Sequence, residues 1–60
     1  MRTFEIGHWH IWEANGVLVS NEDTKQLSRH ASFDEAVNAL WLAGEKDIAR
    51  ELNLRLKAKN

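Results

Sequence analysis

The chain has 60 residues, a formal net charge of −1 and no cysteine. This length allows one domain, over residues 1–60, and a domain of this size buries only about 60% of the surface that its unfolded chain exposes. The absence of cysteine excludes disulfide bonds and thiolate metal sites. The small net charge argues against a strongly basic nucleic-acid-binding module. We therefore expect stabilisation by an aromatic core, by a histidine metal site or by oligomerisation.

Export signals and membrane spans are not visible in the sequence. The longest uninterrupted apolar run, residues 39–43, has five residues. A signal peptide needs an apolar stretch of about 7–15 residues, and a membrane-spanning helix needs about 20. We therefore expect a cytoplasmic protein that does not bind a membrane.

The first segment with β-sheet character covers about residues 3–13, which are rich in aromatic and β-branched residues. Alternation along one unbroken strand places His10 and Trp12 on one face, and Trp9 and Ile11 on the other. Both faces would then carry large apolar groups. We expect one face to meet the helices and the other to meet a second subunit.

Asn15-Gly16 predicts a type I′ turn after this strand. Both central residues of such a turn need positive φ, which Asn tolerates and Gly adopts freely. A two-residue loop would pair Trp12 with Val19 and would place the second strand at about residues 17–20.

A third strand is predicted at about residues 24–30, after a polar turn at residues 20–23. Its single large apolar residue, Leu27, favours an edge strand. The alternative for this segment is an ordered loop.

Two helices are predicted to follow. Ser32 and Glu35 have the spacing of a capping box, in which the hydroxyl accepts from the Glu35 amide and the Glu35 side chain returns to the Ser32 amide. The first helix then covers about residues 33–43 and ends with Gly44 as a left-handed cap. The second helix covers about residues 45–58.

Leu54 lies outside the apolar stripe of the second helix. Either Leu54 contacts a partner, or the helix breaks at Asn53 and the phase of the stripe resets. Residues 46–54 also resemble the first helix and turn of a helix-turn-helix, and this resemblance implies such a break.

The order of elements predicts an α+β fold, in which an N-terminal antiparallel β-hairpin or three-stranded meander precedes two α-helices. This layout resembles two groups of small domains that combine a three-stranded sheet with a helix: the arm-type DNA-binding domain of tyrosine recombinases and the HicB-type antitoxins. The resemblance covers about residues 3–43 and implies the fold more than a function. The residues that carry it are Trp9 or Trp12, Asn15-Gly16, and Phe33 with Glu35-Ala36.

Three histidines are candidate metal ligands. On one strand, residues two apart point the same way, so His8 and His10 would share a divalent ion, with His30 as a third ligand if its strand lies alongside. The alternative is that the histidines flank the core or lie on an exposed face. We expect no bound cofactor.

Catalytic motifs are absent from the sequence. It contains no cysteine, no Gly-x-Ser-x-Gly nucleophile elbow and no glycine-rich phosphate loop. A short chain is also expected to lack a pocket of about 300 Å³ or more, the size that buries a substrate. We therefore expect a protein that is not an enzyme and has no small-molecule substrate.

The leading functional hypothesis is a small interaction or regulatory module that binds another protein and forms a homodimer. A core of this size covers only one face of the first strand well, and large exposed apolar patches usually mark interfaces. The predicted partner-binding residues are Trp9, Ile11, Leu18 and Leu54. A compact chain without an export signal would suit a phage, plasmid or toxin–antitoxin context.

The alternative hypothesis is a nucleic-acid-binding accessory protein. Its phosphate contacts would come from Lys25 and Arg29 on the sheet, or from the basic C-terminal tail with Arg55, Lys57 and Lys59. Binding through phosphate contacts weakens steeply as the salt concentration rises.

Overall fold

The structure, a computed structural model, describes residues 2–58. Its elements in chain order are β1 (Thr3–Ile6), β2 (Trp9–Glu13), β3 (Val17–Asn21), β4 (Leu27–His30), α1 (Phe33–Leu42) and α2 (Lys46–Lys57). The strands form one antiparallel sheet in the order β1-β2-β3-β4, so β1 and β4 are its two edges. The predicted α+β class, with strands before helices, is confirmed, although the sheet has four strands where at most three were predicted.

Both helices lie on one face of the sheet. α1 packs over β3 and β4, α2 packs over β1, and the two helices pack against each other. The hydrophobic core lies between the two layers. Its buried members are Ile6, Ile11, Val17, Val19, Phe33, Ala36, Leu40, Ala49 and Leu52.

The prediction of one strand over residues 3–13 is wrong, because the chain reverses at Gly7 and His8. Ile6 pairs with Trp9 across this turn, and Gly7 has a φ of +60°. Glycine adopts positive φ without steric cost, and glycine at the first central position is typical of a type II′ hairpin turn. The reversal inverts the alternation of side chains after it, because the paired residues Ile6 and Trp9 face the same side.

The hairpin at Asn15-Gly16 forms, but with a loop one residue longer than predicted. Asn15 and Gly16 have φ values of +54° and +105°, in agreement with the expected positive φ. However, Glu13 pairs with Val17, so that Ala14 belongs to the loop.

The longer loop shifts the register between β2 and β3 by one residue. Ile11 pairs with Val19, and Trp12 pairs with Leu18 rather than with Val19. This register places two buried residues, Ile11 and Val19, opposite each other in the core. A slip of one residue would turn one member of that pair to the outer face, so burial selects the observed register.

The predicted third strand is confirmed in its second half, where it forms the edge strand β4. Before it, the Asn21 side-chain oxygen accepts hydrogen bonds from the amides of Asp23 (2.8 Å) and Thr24 (3.1 Å). Lys25 follows with a φ of +63°. These local bonds hold a turn where the strand was expected to begin.

α1 begins and ends as its local signals predict. The Ser32 hydroxyl accepts a hydrogen bond from the Glu35 amide at 3.2 Å, which is one half of the capping box. Gly44 has a φ of +88°, and the Glu45 amide donates to the Leu40 carbonyl at 2.9 Å. This bond is characteristic of the Schellman motif at a helix C-terminus.

α2 runs through Asn53 without a break. The helix-turn-helix alternative is therefore excluded for this segment. Leu52 is fully buried, whereas Leu54 is 56% exposed, so one amphipathic helix turns Leu54 towards solvent without any change of phase.

Candidate interaction surface

The sheet face opposite the helices, which we call the open face, is covered by no other element of residues 2–58. Residues paired across an antiparallel sheet point to the same side, so the register arranges the open face in two rows. One row is Thr3, Trp12, Leu18 and Arg29, and the other is Glu5, His10, Ser20 and Leu27.

Trp12 and Leu18 form the apolar centre of the open face. They are paired on the two central strands, and both side chains are partly exposed. The His10 ring packs edge-on against the Trp12 ring, with centroids 5.0 Å apart. Leu27 on β4 adds a third apolar group and is 64% exposed. Aromatic and aliphatic side chains surrounded by polar ones are the usual composition of a protein–protein interface.

The outer edge of β1 is occupied by a side chain from α2. Arg55 Nη1 donates to the Glu5 carbonyl at 3.0 Å, and Arg55 Nε donates to the Glu51 carboxylate at 3.0 Å. The ion pair with Glu51 holds the guanidinium in place beside the strand. An edge whose carbonyl already has a partner is a poorer site for the addition of another strand.

The outer edge of β4 has no such cover. The Asn21 amide donates to the Gln26 carbonyl at 3.0 Å, which fixes the phase of the ladder between β3 and β4. Backbone groups alternate between facing the neighbouring strand and facing away from it, so those of Leu27 and Arg29 point away from β3. Within the described part of the chain, these groups are paired with no strand, and no further backbone hydrogen bond reaches them.

A groove of about 380 Å³ lies between β4 and α1. Two of the three residues that line it from the helix side, Ala39 and Ala43, have small side chains, while Leu27, Ser28 and His30 line it from the strand. Its lining contains no lysine, arginine, aspartate or glutamate. Further apolar lining comes from Trp9, Val19 and Leu40.

The four predicted partner-binding residues do not share one surface. Leu18 lies on the open face, whereas Trp9 packs against the core and lines the groove. Leu54 is exposed on α2, and Ile11 is fully buried. Ile11 is therefore not available to a partner in this fold. The prediction missed Trp12. Along one unbroken strand, Trp12 would lie on the same face as Ile6 and would therefore point into the core.

The predicted nucleic-acid-binding residues are dispersed as well. Lys25 precedes β4 and Arg29 lies within it. Arg55 and Lys57 lie in the last turn of α2, and Lys59 lies outside the described residues. Arg29 Nη1 donates to two carbonyls of the loop between β2 and β3, at 2.7 and 2.6 Å. Arg55 is engaged at the edge of β1. Two of these cations therefore have structural partners.

The three histidines are not brought together. His8 lies in the turn after β1, where a ring nitrogen is 3.6 Å from the Asp23 carboxylate. His10 lies on the open face, and His30 Nε2 is 2.9 Å from the Ser28 hydroxyl on the helix side. The expected common face of His8 and His10 is wrong, because the strand ends between Ile6 and Trp9. The part of the chain that the structure describes contains no group of three or more candidate metal ligands.

The expectation that the fold lacks a pocket of about 300 Å³ is wrong. Besides the groove, a wide cleft of about 540 Å³ opens beside the start of α1. The Ser32 hydroxyl in this cleft is used as the helix cap, and the Arg2 guanidinium stacks on the Phe33 ring at 4.8 Å. No histidine or cysteine is among the described residues that line the cleft. The absence of enzymatic activity stays a prediction.

Neither helix of the described chain is long and apolar enough to span a membrane.

Comparison with protein-family models, curated proteins and solved structures finds no match for this chain. The resemblance to arm-type DNA-binding domains and HicB-type antitoxins stays a prediction.

Proposed function

We propose that this chain is a small non-enzymatic interaction module that binds another protein through the open face of its sheet, and that it acts as a homodimer. The observation that carries the proposal is the pair of Trp12 and Leu18 at the centre of a sheet face that neither helix covers.

An antiparallel sheet with one solvated face normally carries polar side chains on that face. Here the open face also carries three large apolar side chains, Trp12, Leu18 and Leu27, among its polar ones. A tryptophan buries roughly 150–250 Å² when it is covered, and tryptophan is enriched among the residues that dominate binding energy. The flanking Glu5 and Arg29 would form a polar rim of balanced charge.

Nucleic-acid binding is less well supported. The open face carries one acidic residue, Glu5, and one basic residue, Arg29, so it has no excess of positive charge. The Arg29 guanidinium is already hydrogen-bonded to two backbone carbonyls. Phosphate binding by this guanidinium would require these two bonds to be given up for contacts that weaken as the salt concentration rises.

The test compares protein capture by the tagged wild-type chain with capture by three variants, using cross-linking in cells of the source organism and quantitative mass spectrometry. Trp12→Ser and Leu18→Ser change the open face. Leu54→Ser is the matched control, because it also removes an exposed leucine, but from α2.

We expect one set of proteins to be enriched by the wild type and by the control, and to fall at least about tenfold for both open-face variants, since a central interface residue contributes about 2 kcal/mol or more. Circular dichroism must show that all variants are folded. Equal capture by all four chains would contradict the proposal. Recovery of DNA or RNA that is lost at raised salt would favour the alternative.

A further inference from the structure

We propose that a second copy of this chain docks on the flank formed by the outer edge of β4, the adjoining groove and the near side of α1, so that two four-stranded sheets join edge to edge. We call this surface the β4–α1 flank. The inference deepens the homodimer part of the proposed function and rests on it.

The backbone of β4 is suited to pairing with itself. Leu27 and Arg29 direct their amide and carbonyl groups outwards, and antiparallel hydrogen-bonded pairs form between two such residues. A twofold axis at Ser28 places Leu27 opposite Arg29 of the second copy, and Arg29 opposite Leu27. This is the register in which both outward-facing residues of each β4 are satisfied at once.

The helices fit the same axis. α1 packs over β3 and β4, and neighbouring strands lie about 4.8 Å apart. Joining the two β4 strands therefore brings the two α1 helices to about 10 Å from each other, close to the 8–10 Å at which helices pack. Ala39 and Ala43 leave room for this approach, and the 77% exposed Leu42 lies on the same side of α1 as Ala39.

Charge is complementary in this arrangement. Lys25 lies in the turn before β4, with a φ of +63°, so with Ser28 on the axis it stands at the end of the interface where β4 of the other copy leads into α1. The first turn of α1 carries the acidic residues Asp34 and Glu35, and helical spacing places Glu35 on the side of Ala39. Each end of the interface thus sets a lysine of one copy against the acidic helix start of the other, while the groove between them is lined by no lysine, arginine, aspartate or glutamate.

The surface that a stable dimer must bury is larger than the β4 edge alone, so the groove must belong to the interface. A standard interface covers about 800 Å² on each partner, roughly a fifth of the 4204 Å² surface of this chain. A four-residue strand edge is too small for this, so the exposed Leu27 and Leu42 and the groove must contribute. The twofold axis is perpendicular to the sheet, so both open faces lie on the same side of the dimer. The two Trp12–Leu18 centres then form one continuous binding face.

The test is sedimentation equilibrium of the full chain at micromolar concentrations, where the expected species has twice the 6.9 kDa chain mass. Leu42→Lys places a charge on the near side of α1, away from the open face, at a side chain that is 77% exposed in the single chain, and should raise the dimer Kd at least about tenfold. Leu54→Lys, an equivalent change on α2, should leave the Kd unchanged.

A charge exchange tests the orientation of the two copies. Lys25→Glu alone and Glu35→Lys alone should each raise the Kd by about three- to tenfold, because each change acts twice in a symmetric interface. The double variant should restore the Kd, since lysine and glutamate again face each other. Additive losses in the double variant would overturn the proposed register.

Two further outcomes would overturn the inference while leaving the proposed binding face intact. One is a dimer that Leu18→Ser weakens and Leu42→Lys does not, which would place the second copy on the open face. The other is a monomer at all concentrations whose captured proteins are lost with Leu42→Lys, which would make a segment of another protein the occupant of the flank. Loss of capture only with Leu18→Ser, in a dimer that stays intact, supports both proposals.

Discussion

The two edges of the sheet differ in what lies beside them. At β1, an arginine from α2 donates to the strand's outward carbonyl and is itself held by an ion pair. At β4, the residues that line the adjoining groove from the helix side are Ala39, Leu40 and Ala43, and within the described residues no backbone hydrogen bond reaches the outward groups of the strand. Both strands have four residues, so their length does not account for the difference.

The contrast shows that the side chains of the covering helix decide whether an edge strand is closed. Position 55 of α2 carries a long side chain with several donors, which reaches past the core to the strand. Positions 39 and 43 of α1 carry side chains too short to do so. The β1 edge is therefore protected against the addition of another strand, whereas the β4 edge is left uncovered.

The largest loss of stability is expected from truncating Leu52, which packs α2 against the core. α2 also carries Arg55, the residue that covers the edge of β1. Leu52→Ala should lower the free energy of unfolding by about 2–5 kcal/mol, because Leu52 is fully buried and its loss leaves a cavity. Urea denaturation measures the change. Leu54→Ala on the exposed side of the same helix should stay within about 0.5 kcal/mol, and similar losses for the two leucines would contradict the described packing of α2.

Glycine substitutions test how β4 is held to the sheet. A Cβ at Gly16 would lie 2.7 Å from the His30 carbonyl oxygen, with φ at +105°. Gly16→Ala should therefore cost more than the roughly 1–2 kcal/mol of a left-handed residue alone. Gly7→Ala is the control, since its φ is +60° but no atom lies within 4 Å. In thermal unfolding, the Tm of Gly16→Ala should be clearly lower than that of Gly7→Ala. The reverse order would contradict the close approach of Gly16 to β4.

The cap of α1 links β4 to the helix above the groove. Ser32→Ala should lower the free energy of unfolding by about 1 kcal/mol, because the Glu35 amide loses its acceptor. Ser32→Asp should retain most of the stability, since aspartate also caps helices. Chemical denaturation of the three chains side by side measures both values, and an equal loss for alanine and aspartate would exclude capping as the cause.

The smallest change in stability is expected at the cover of β1 itself. Arg55→Met should cost at most about 1 kcal/mol, because the guanidinium is partly exposed and its hydrogen bonds compete with water. Its main consequence should be association beyond the proposed dimer, since β1 then offers a second open edge. Sedimentation velocity detects such species. Arg50→Met removes a comparable ion pair, to Asp47, without touching the sheet, and should produce none.

Features that depend on a few neighbouring residues were predictable from the sequence. The cap at Ser32 and the left-handed residue at Gly44 each involve groups within one helical turn, so their residue types are sufficient. The turn at Asn15-Gly16 was recognised for the same reason. Gly7 carried a usable signal too, because an isolated glycine inside a strand pattern indicates a bend or a turn.

Features that depend on packing were not predictable in this way. The register between β2 and β3 is selected by burial of Ile11 opposite Val19, which no local motif reveals. The open face could not be identified either, because the reversal at Gly7 moves Ile11 into the core and Trp12 to the outside. The cover of β1 joins Arg55 to Glu5, fifty positions apart in the chain, and only the docking of α2 brings them together.

The nearest-neighbour order of the strands has a kinetic consequence. Each hairpin closes a short loop at small entropic cost, so we expect the sheet to form early in the folding reaction. The contact of Arg55 with Glu5 of β1 joins residues fifty positions apart and should form after the transition state. Arg55→Met should then speed unfolding and leave the refolding rate unchanged in stopped-flow experiments. During synthesis, β1 leaves the ribosome before the helix that covers it, and the outer edge of this strand stays open until α2 has emerged.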